Sequence, residues 1–165
     1  MGCGCWNQKI QEEHRVLKSQ REALKVSLDH PVAWKDRRVH LTQILRSLDP
    51  ALRLHLRREE ETLFPAFERL IGSVSGMLSL LKTRHDDLRA LLDRLAQLLE
   101  DRENISWQTI QESGEALADL LEDHEEKEGR LITDILEYSL KPQELTQLAR
   151  QFQHAASYSC EEMEK

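Results

Sequence analysis

The chain has 165 residues, with 23 Lys and Arg against 30 Asp and Glu and a formal net charge of −7. That balance argues against the broad basic face that nucleic-acid and anionic-membrane binders need, although a local basic patch is compatible with it. With 39% hydrophobic and 32% charged residues, and only six glycines and four prolines, the composition is that of one globular, leucine-rich, all-α domain.

The amino terminus passes from Met1-Gly2-Cys3-Gly4-Cys5-Trp6 straight into polar Asn7-Gln8-Lys9, which lacks the apolar stretch of a signal peptide. Trp6 stands where a myristoylation motif wants Ser or Thr. No run approaches the roughly 20 apolar residues of a membrane span, so a cytoplasmic protein is expected, with no membrane and no nucleic acid as partner. Three cysteines near the two ends, Cys3, Cys5 and Cys160, make no disulfide framework. Cys3 and Cys5 read as part of a tail, or as a soft-metal or redox pair.

Apolar stripes at helical spacing then follow in order. The first carries Ile10, Leu17, Leu24 and Leu28 and stops at Asp29-His30-Pro31. The second carries Leu41, Leu45, Leu48, Leu52, Leu63, Ala66 and Leu70. Because its register is kept across Pro50, a kink is expected there, and Pro65 is expected to end or bend the helix just after Phe64. The third carries Val74, Leu78, Leu81, Leu88, Leu92, Leu95 and Leu99, and the fourth Ile110, Gly114, Leu117, Leu121, Leu131 and Ile135. A short fifth helix after Lys141-Pro142 carries Leu145, Leu148 and Phe152. Short connections force antiparallel neighbours. The predicted architecture is an up-down-up-down four-helix bundle over about 8–137, with a C-terminal segment over about 142–160, all in one domain spanning 1–165.

Polar residues interrupt these stripes at regular places. His14 lies between Ile10 and Leu17, His55 and Glu59 between Leu52 and Leu63, His85 between Leu81 and Leu88, and His124 and Glu128 between Leu121 and Leu131. Each long helix therefore turns one histidine inward, and two add a carboxylate one turn later. His85 and His124 both stand 19 residues from the turn at Asn104-Ile105. His14 is 16 residues before His30 while His55 is 25 after it. This excess of nine is expected to be absorbed in an irregular stretch around 31–37 or at Pro50. Glu60, Glu61, Glu125 and Glu126 fall off the stripes and read as solvated face, the lesser alternative being that one of them reaches the mouth of the metal site. His30, His40 and His154 read as non-ligands, with His40 able to approach the site only if the second helix is rotated about Pro50. Trp34 and Trp107 read as packing at helix ends, and Tyr138 as a core or boundary residue.

Burying four imidazoles and two carboxylates among leucines is costly unless they are satisfied together. A metal centre does this. Nitrogen and carboxylate oxygen suit iron, manganese or zinc. Six donors are too many for one tetrahedral zinc and suit two metals, with Glu59 and Glu128 spanning the pair and two histidines serving each.

Four segments carry a resemblance: Glu13-His14-Arg15-Val16-Leu17, His55-Leu56-Arg57-Arg58-Glu59-Glu60-Glu61-Thr62-Leu63-Phe64-Pro65, His85-Asp86-Asp87-Leu88 and His124-Glu125-Glu126-Lys127-Glu128. The sequence resembles the hemerythrin-like (HHE cation-binding) family over roughly residues 8–137. The resemblance implies a bundle holding two non-haem irons with a bridging oxo or hydroxo ligand, manganese or a mixed iron–manganese pair being the lesser alternative. His14 and His55 resemble the ligands of one iron, His85 and His124 those of the other, and Glu59 and Glu128 the bridging carboxylates. Oxygen-carrying members have a further histidine where this chain has Leu81, and an aspartate five residues after the last histidine where this chain has Glu128 four after His124. Both differences match the branch that repairs iron centres.

The resemblance thus implies a di-iron protein reacting with O2, NO or peroxide in redox or nitrosative stress, or in iron handling. Each iron would hold five ligands and keep one position open. A reductase or an iron-acceptor protein is the expected macromolecular partner. Two other readings stand beside it: an iron donor for repair of iron–sulfur clusters, and an iron-dependent regulatory protein using 142–165, with Phe152 and Tyr158, to meet a partner. The donor set alone does not decide whether the chain is an enzyme.

Overall fold

Leucines recurring every three or four residues form a stripe that is stable only against other such stripes, and the chain folds accordingly. The computed structural model describes residues 5–29, 34–71, 75–101, 105–138, 141, 143, 144, 146, 147 and 150. Helix α1 is Cys5–Asp29 and α2 is Trp34–Arg58. A π-helical segment, Glu59–Leu63, leads directly into α3, Phe64–Ile71. Helix α4 is Ser75–Glu100 and α5 is Trp107–Tyr138. The residues described between 143 and 150 are helical too. The Glu144 carboxylate accepts from the Lys141 N–H at 2.7 Å and the Glu144 N–H donates to the Lys141 carbonyl, which is how a helix start is held.

Helix α1 packs on α2 and α5, and α4 packs on the same two, giving four rods at the corners of a square. Cross-helix pairs fix α1 as antiparallel to α2 and, with His14 at Glu128 and Lys25 at Asp119, to α5. Gln20 meets Ser47 and His14 meets His55 between α1 and α2; Arg53 pairs with Asp93 between α2 and α4; Lys25 reaches Asp119 and Glu122 between α1 and α5. Ser106 caps α5, its hydroxyl accepting from the Thr109 N–H at 3.1 Å.

Helix α2 runs unbroken through Pro50, its register kept across it as expected. One expectation about the second helix needs correction. Of the stretch proposed to absorb the nine extra residues, 34–37 is helical; His30 to Ala33 lie outside the described residues. Part of the excess is an overhang. The pairing of Gln20 with Ser47 places Asp29, the end of α1, beside about Arg38, so the first turn of α2 projects past it. There Arg38 donates to the carbonyls of Leu99 and Asp101, which the end of α4 leaves without helical partners. Arg37 lies 4.7 Å from the Trp107 ring centroid, confirming Trp107 as packing at a helix end.

Pro65 does not end the helix either. The α-helical pattern gives way to the π segment just before it: the Phe64 N–H donates to Glu59 O, five residues back. Thr62 offers its hydroxyl to the Arg58 carbonyl, an extra partner where the hydrogen-bond register changes.

The largest apolar cluster runs from Leu17, Leu52, Leu56, Leu88 and Leu121 down to Leu28, Leu41, Leu99 and Ile110. On the far side of the histidines Ile10, Leu63, Phe64, Phe67, Leu78, Leu81 and Leu131 are buried as well. The polar residues are thus enclosed along the bundle axis by apolar layers above and below.

Candidate metal centre

All six residues singled out by the stripes meet in that gap, one or two from each corner of the square. His55, Glu59, His85, His124 and Glu128 are 0–1% exposed; His14, on α1, is half-buried, and its side chain is 19% exposed. They form two groups that share one residue. His14, His55, Glu59 and Glu128 make the first group, and Glu59, His85 and His124 the second.

Glu59 spans the two groups. Its Oε1 lies 2.9 Å from His55 Nε2, and its Oε2 lies 3.1 Å from His85 Nε2 and 3.8 Å from His124 Nε2. Glu128 Oε2 lies 2.8 Å from His14 Nε2, 3.5 Å from His55 Nε2 and 3.6 Å from His124 Nε2. Nε2 of His14 and of His55 are 3.3 Å apart. Bonds of about 2.1 Å to a shared cation at right angles would set donors about 3 Å apart. The observed spacings suit that.

Hydrogen bonding among these groups does not explain their burial. Both oxygens of Glu59, Oε1 of Glu128, Nε2 of His85 and both ring nitrogens of His124 are buried without a hydrogen-bond partner. Several are near a neighbour but misaligned for a hydrogen bond. Orphaned buried donors and acceptors normally cost about 1–3 kcal/mol each. Atoms aimed at a common point rather than at one another are what a metal-binding cage requires, and the donor set fits a cation there.

The charges respond to the crowding. Burial pushes the His55 imidazole down, but the Glu59 and Glu128 carboxylates outweigh it and bring it up to about 10. His124 gains too little from Glu128 to offset burial and the other three imidazoles, and it falls to about 3. Burial and the nearby Glu128 charge raise Glu59, partly offset by His55 and His85. Burial also works against ionised Glu128, yet its hydrogen bonds with His14 and His55 and the charge of His55 hold it well below the usual carboxylate range. Without a cation the site holds protons that a metal would displace.

Two outer carboxylates complete the arrangement. His55 Nδ1 is 3.2 Å from Glu13 Oε2, and Glu13 is paired with Arg58. His85 Nδ1 is 2.7 Å from Glu60 Oε1, which Arg89 also grips at 2.8 Å. Glu60 thus takes the lesser alternative of reaching the site rather than lying on the solvated face. Consecutive residues of the π segment reach the same imidazole, Glu59 at Nε2 and Glu60 at Nδ1. Glu125 is not plain solvated face either, since it is half-buried beside buried Arg21, at 3.7 Å. Glu61 and Glu126 are exposed, as expected. His40 is exposed near the far end of unbroken α2, which removes it as a neighbour of the site. His30, His154, Phe152, Tyr158, Cys3 and Cys160 lie outside the described residues, as do the side chains of Cys5, Trp34 and Tyr138.

Comparison with known families agrees with this geometry. The family model described as Hemerythrin HHE cation binding domain matches residues 7–136. The chain belongs to this family. The match spans α1 through nearly all of α5 and so takes in both groups of donors. No curated protein matches the chain. Family membership supports cation binding by an all-α bundle, and the clustered histidines and glutamates could hold the metal. Among the described residues no helix is long and apolar enough to cross a membrane.

Proposed function

We propose that this HHE-family chain is a non-haem di-iron protein whose site binds or reacts with O2, NO or peroxide. Its ligand pattern is closest to the branch that repairs iron centres, which favours roles in redox or nitrosative stress or in iron handling. The observation that carries the reading is the pair of donor groups joined through Glu59, with unpartnered atoms turned inward. In it His14 and His55 serve one iron, His85 and His124 the other, and Glu59 and Glu128 link them. When bound, the iron pair supplies electrons and open positions for a small ligand.

The protein's part is to select and to exclude. Leu17, Leu52, Leu81, Leu88 and Leu121 are all buried, and Leu81 stands where a sixth donor would otherwise come from. Such a lining admits small neutral molecules and keeps out charged substrates and bulk water. His14 is the most exposed of the six residues, so the α1 edge is the approach to the site. The His55 proton leaves as iron enters, and the Glu13 and Glu60 carboxylates accept from the outer ring nitrogens.

The test is metal content per chain on protein purified without oxygen, followed by absorption spectra after O2 and then NO. About two irons, with spectral changes on O2 and a rapid change with NO, is the expected result. No metal, or a single zinc, would overturn it.

A further inference from the structure

We infer that Glu13 and Glu60 are positioning residues, one for each metal position, each acting through the outer nitrogen of one histidine and each anchored by an arginine. The inference rests on the di-iron reading but concerns residues outside its ligand set.

An imidazole that ligates through Nε2 must carry its proton on Nδ1. Burial alone does not decide which nitrogen holds the proton. At His55 and His85 the structure supplies the deciding partner, a carboxylate at 3.2 Å from Nδ1 in one case and 2.7 Å in the other. Each sits on the side away from Glu59, whose oxygens lie 2.9 Å and 3.1 Å from the Nε2 atoms. The carboxylate therefore fixes both the tautomer and the direction of the lone pair, and its charge makes the imidazole a stronger donor.

The pattern is selective. His124 is equally buried, yet its Nδ1 has no hydrogen-bond partner. Burial of an imidazole in this core does not bring a carboxylate with it. His55 belongs to the first donor group and His85 to the second, so each metal position has one reinforced histidine. Both carboxylates are held in turn. Arg58 pairs with Glu13, and Arg89 binds Glu60 Oε1 at 2.8 Å while reaching Asp86 at 3.2 Å. Each chain of contacts crosses between helices, α2 to α1 in one case and α4 to the π segment in the other.

The experiment is anaerobic iron(II) titration of the metal-free full chain, with reduction potentials measured on the loaded protein. The unaltered chain is expected to take two equivalents. In Glu60→Gln one equivalent should bind about 10- to 100-fold more weakly, and in Glu13→Gln the other. The double variant should weaken both by the product expected of independent sites. Loss of the carboxylate should raise the potential in each glutamine variant, and in Glu60→Asp and Glu13→Asp, which keep the charge but shorten the reach to Nδ1, it should rise as well, a change that a merely structural salt bridge would not produce. Should a glutamine variant fail to fold, Glu60→Asp or Glu13→Asp keeps the charge but withdraws the carboxylate from Nδ1, and should weaken the same equivalent to a smaller extent. Unaltered affinities and potentials in folded variants of a chain that takes two irons would overturn this inference alone. A chain that takes no iron would overturn the di-iron reading and this one with it.

Discussion

His124 offers the sharpest separation of function from stability. Its imidazole is fully buried and kept neutral, since burial holds it at about 3. Its nearest carboxylate contacts are 3.6 Å and 3.8 Å, and neither ring nitrogen has a hydrogen-bond partner. Replacement by leucine nearly conserves volume and removes one unsatisfied donor and one unsatisfied acceptor. Each is worth about 1–3 kcal/mol, and imperfect fit of the new side chain gives back up to about 1.5 kcal/mol. The metal-free His124→Leu variant should therefore be more stable than the metal-free parent by about 0.5–6 kcal/mol. For a chain of this size that is a rise in melting temperature of about 2–4 °C per kcal/mol. With iron present the order should reverse, because a cation stabilises only the fold that binds it and the variant lacks a donor. Thermal unfolding followed by circular dichroism, in chelator and in anaerobic iron(II), reads both halves. A metal-free variant less stable than its metal-free parent would refute the reasoning, since His124 would then be satisfied without a metal.

The same site predicts the pH dependence of the metal-free fold. His55 binds its proton more tightly when folded, at about 10 against an ordinary 6.5, so its contribution is complete below 6.5 and is lost as pH rises toward 10. His124 binds its proton less tightly when folded, at about 3, so stability falls as pH drops from 6.5 toward 3. Denaturant midpoints across pH should therefore peak near 6.5, and iron(II) binding near that pH should release protons measurable in weakly buffered solution. At Gly114 an added Cβ would meet Leu28 Cδ1 and Cδ2 at 2.8 and 2.9 Å. Gly114→Ala should gain up to about 1 kcal/mol of helix propensity and lose about 1–3 kcal/mol to overpacking, lowering the urea midpoint with iron content unchanged. Arg38→Ala removes the charged donor from the Leu99 and Asp101 carbonyls and should cost about 1–2 kcal/mol in the same assay, again without loss of iron.

Much of this was legible because helical periodicity decides which way a residue faces. Once Leu52 and Leu63 define an inward stripe, His55 and Glu59 between them have no other direction to point, and the same holds for His124 and Glu128 between Leu121 and Leu131. The equal spacing of His85 and His124 from their turn placed them level, and they are level. The spacing of His14 and His55 was unequal, and the difference could not be assigned from periodicity. A helix that overhangs its neighbour has the same stripe as one that does not, and only the receiving carbonyls at the end of α4 show that Arg38 is what the overhang serves.

Periodicity fails at Glu60 for a related physical reason. A strict α-helical rotation sends consecutive residues about 100° apart, so a residue next to an inward ligand is assigned to the flank. The π segment changes that rotation over five residues that include both Glu59 and Glu60. A signal for it was present in Pro65, which cannot continue an α-helical hydrogen-bond ladder yet sits inside an apolar pattern that does continue. The irregularity and the site are one feature. Within the π turn Glu59 and Glu60 meet one imidazole from opposite sides. Shortening the segment by one residue should restore α-helical rotation and part the two carboxylates from His85, even in a bundle whose leucine core is otherwise intact.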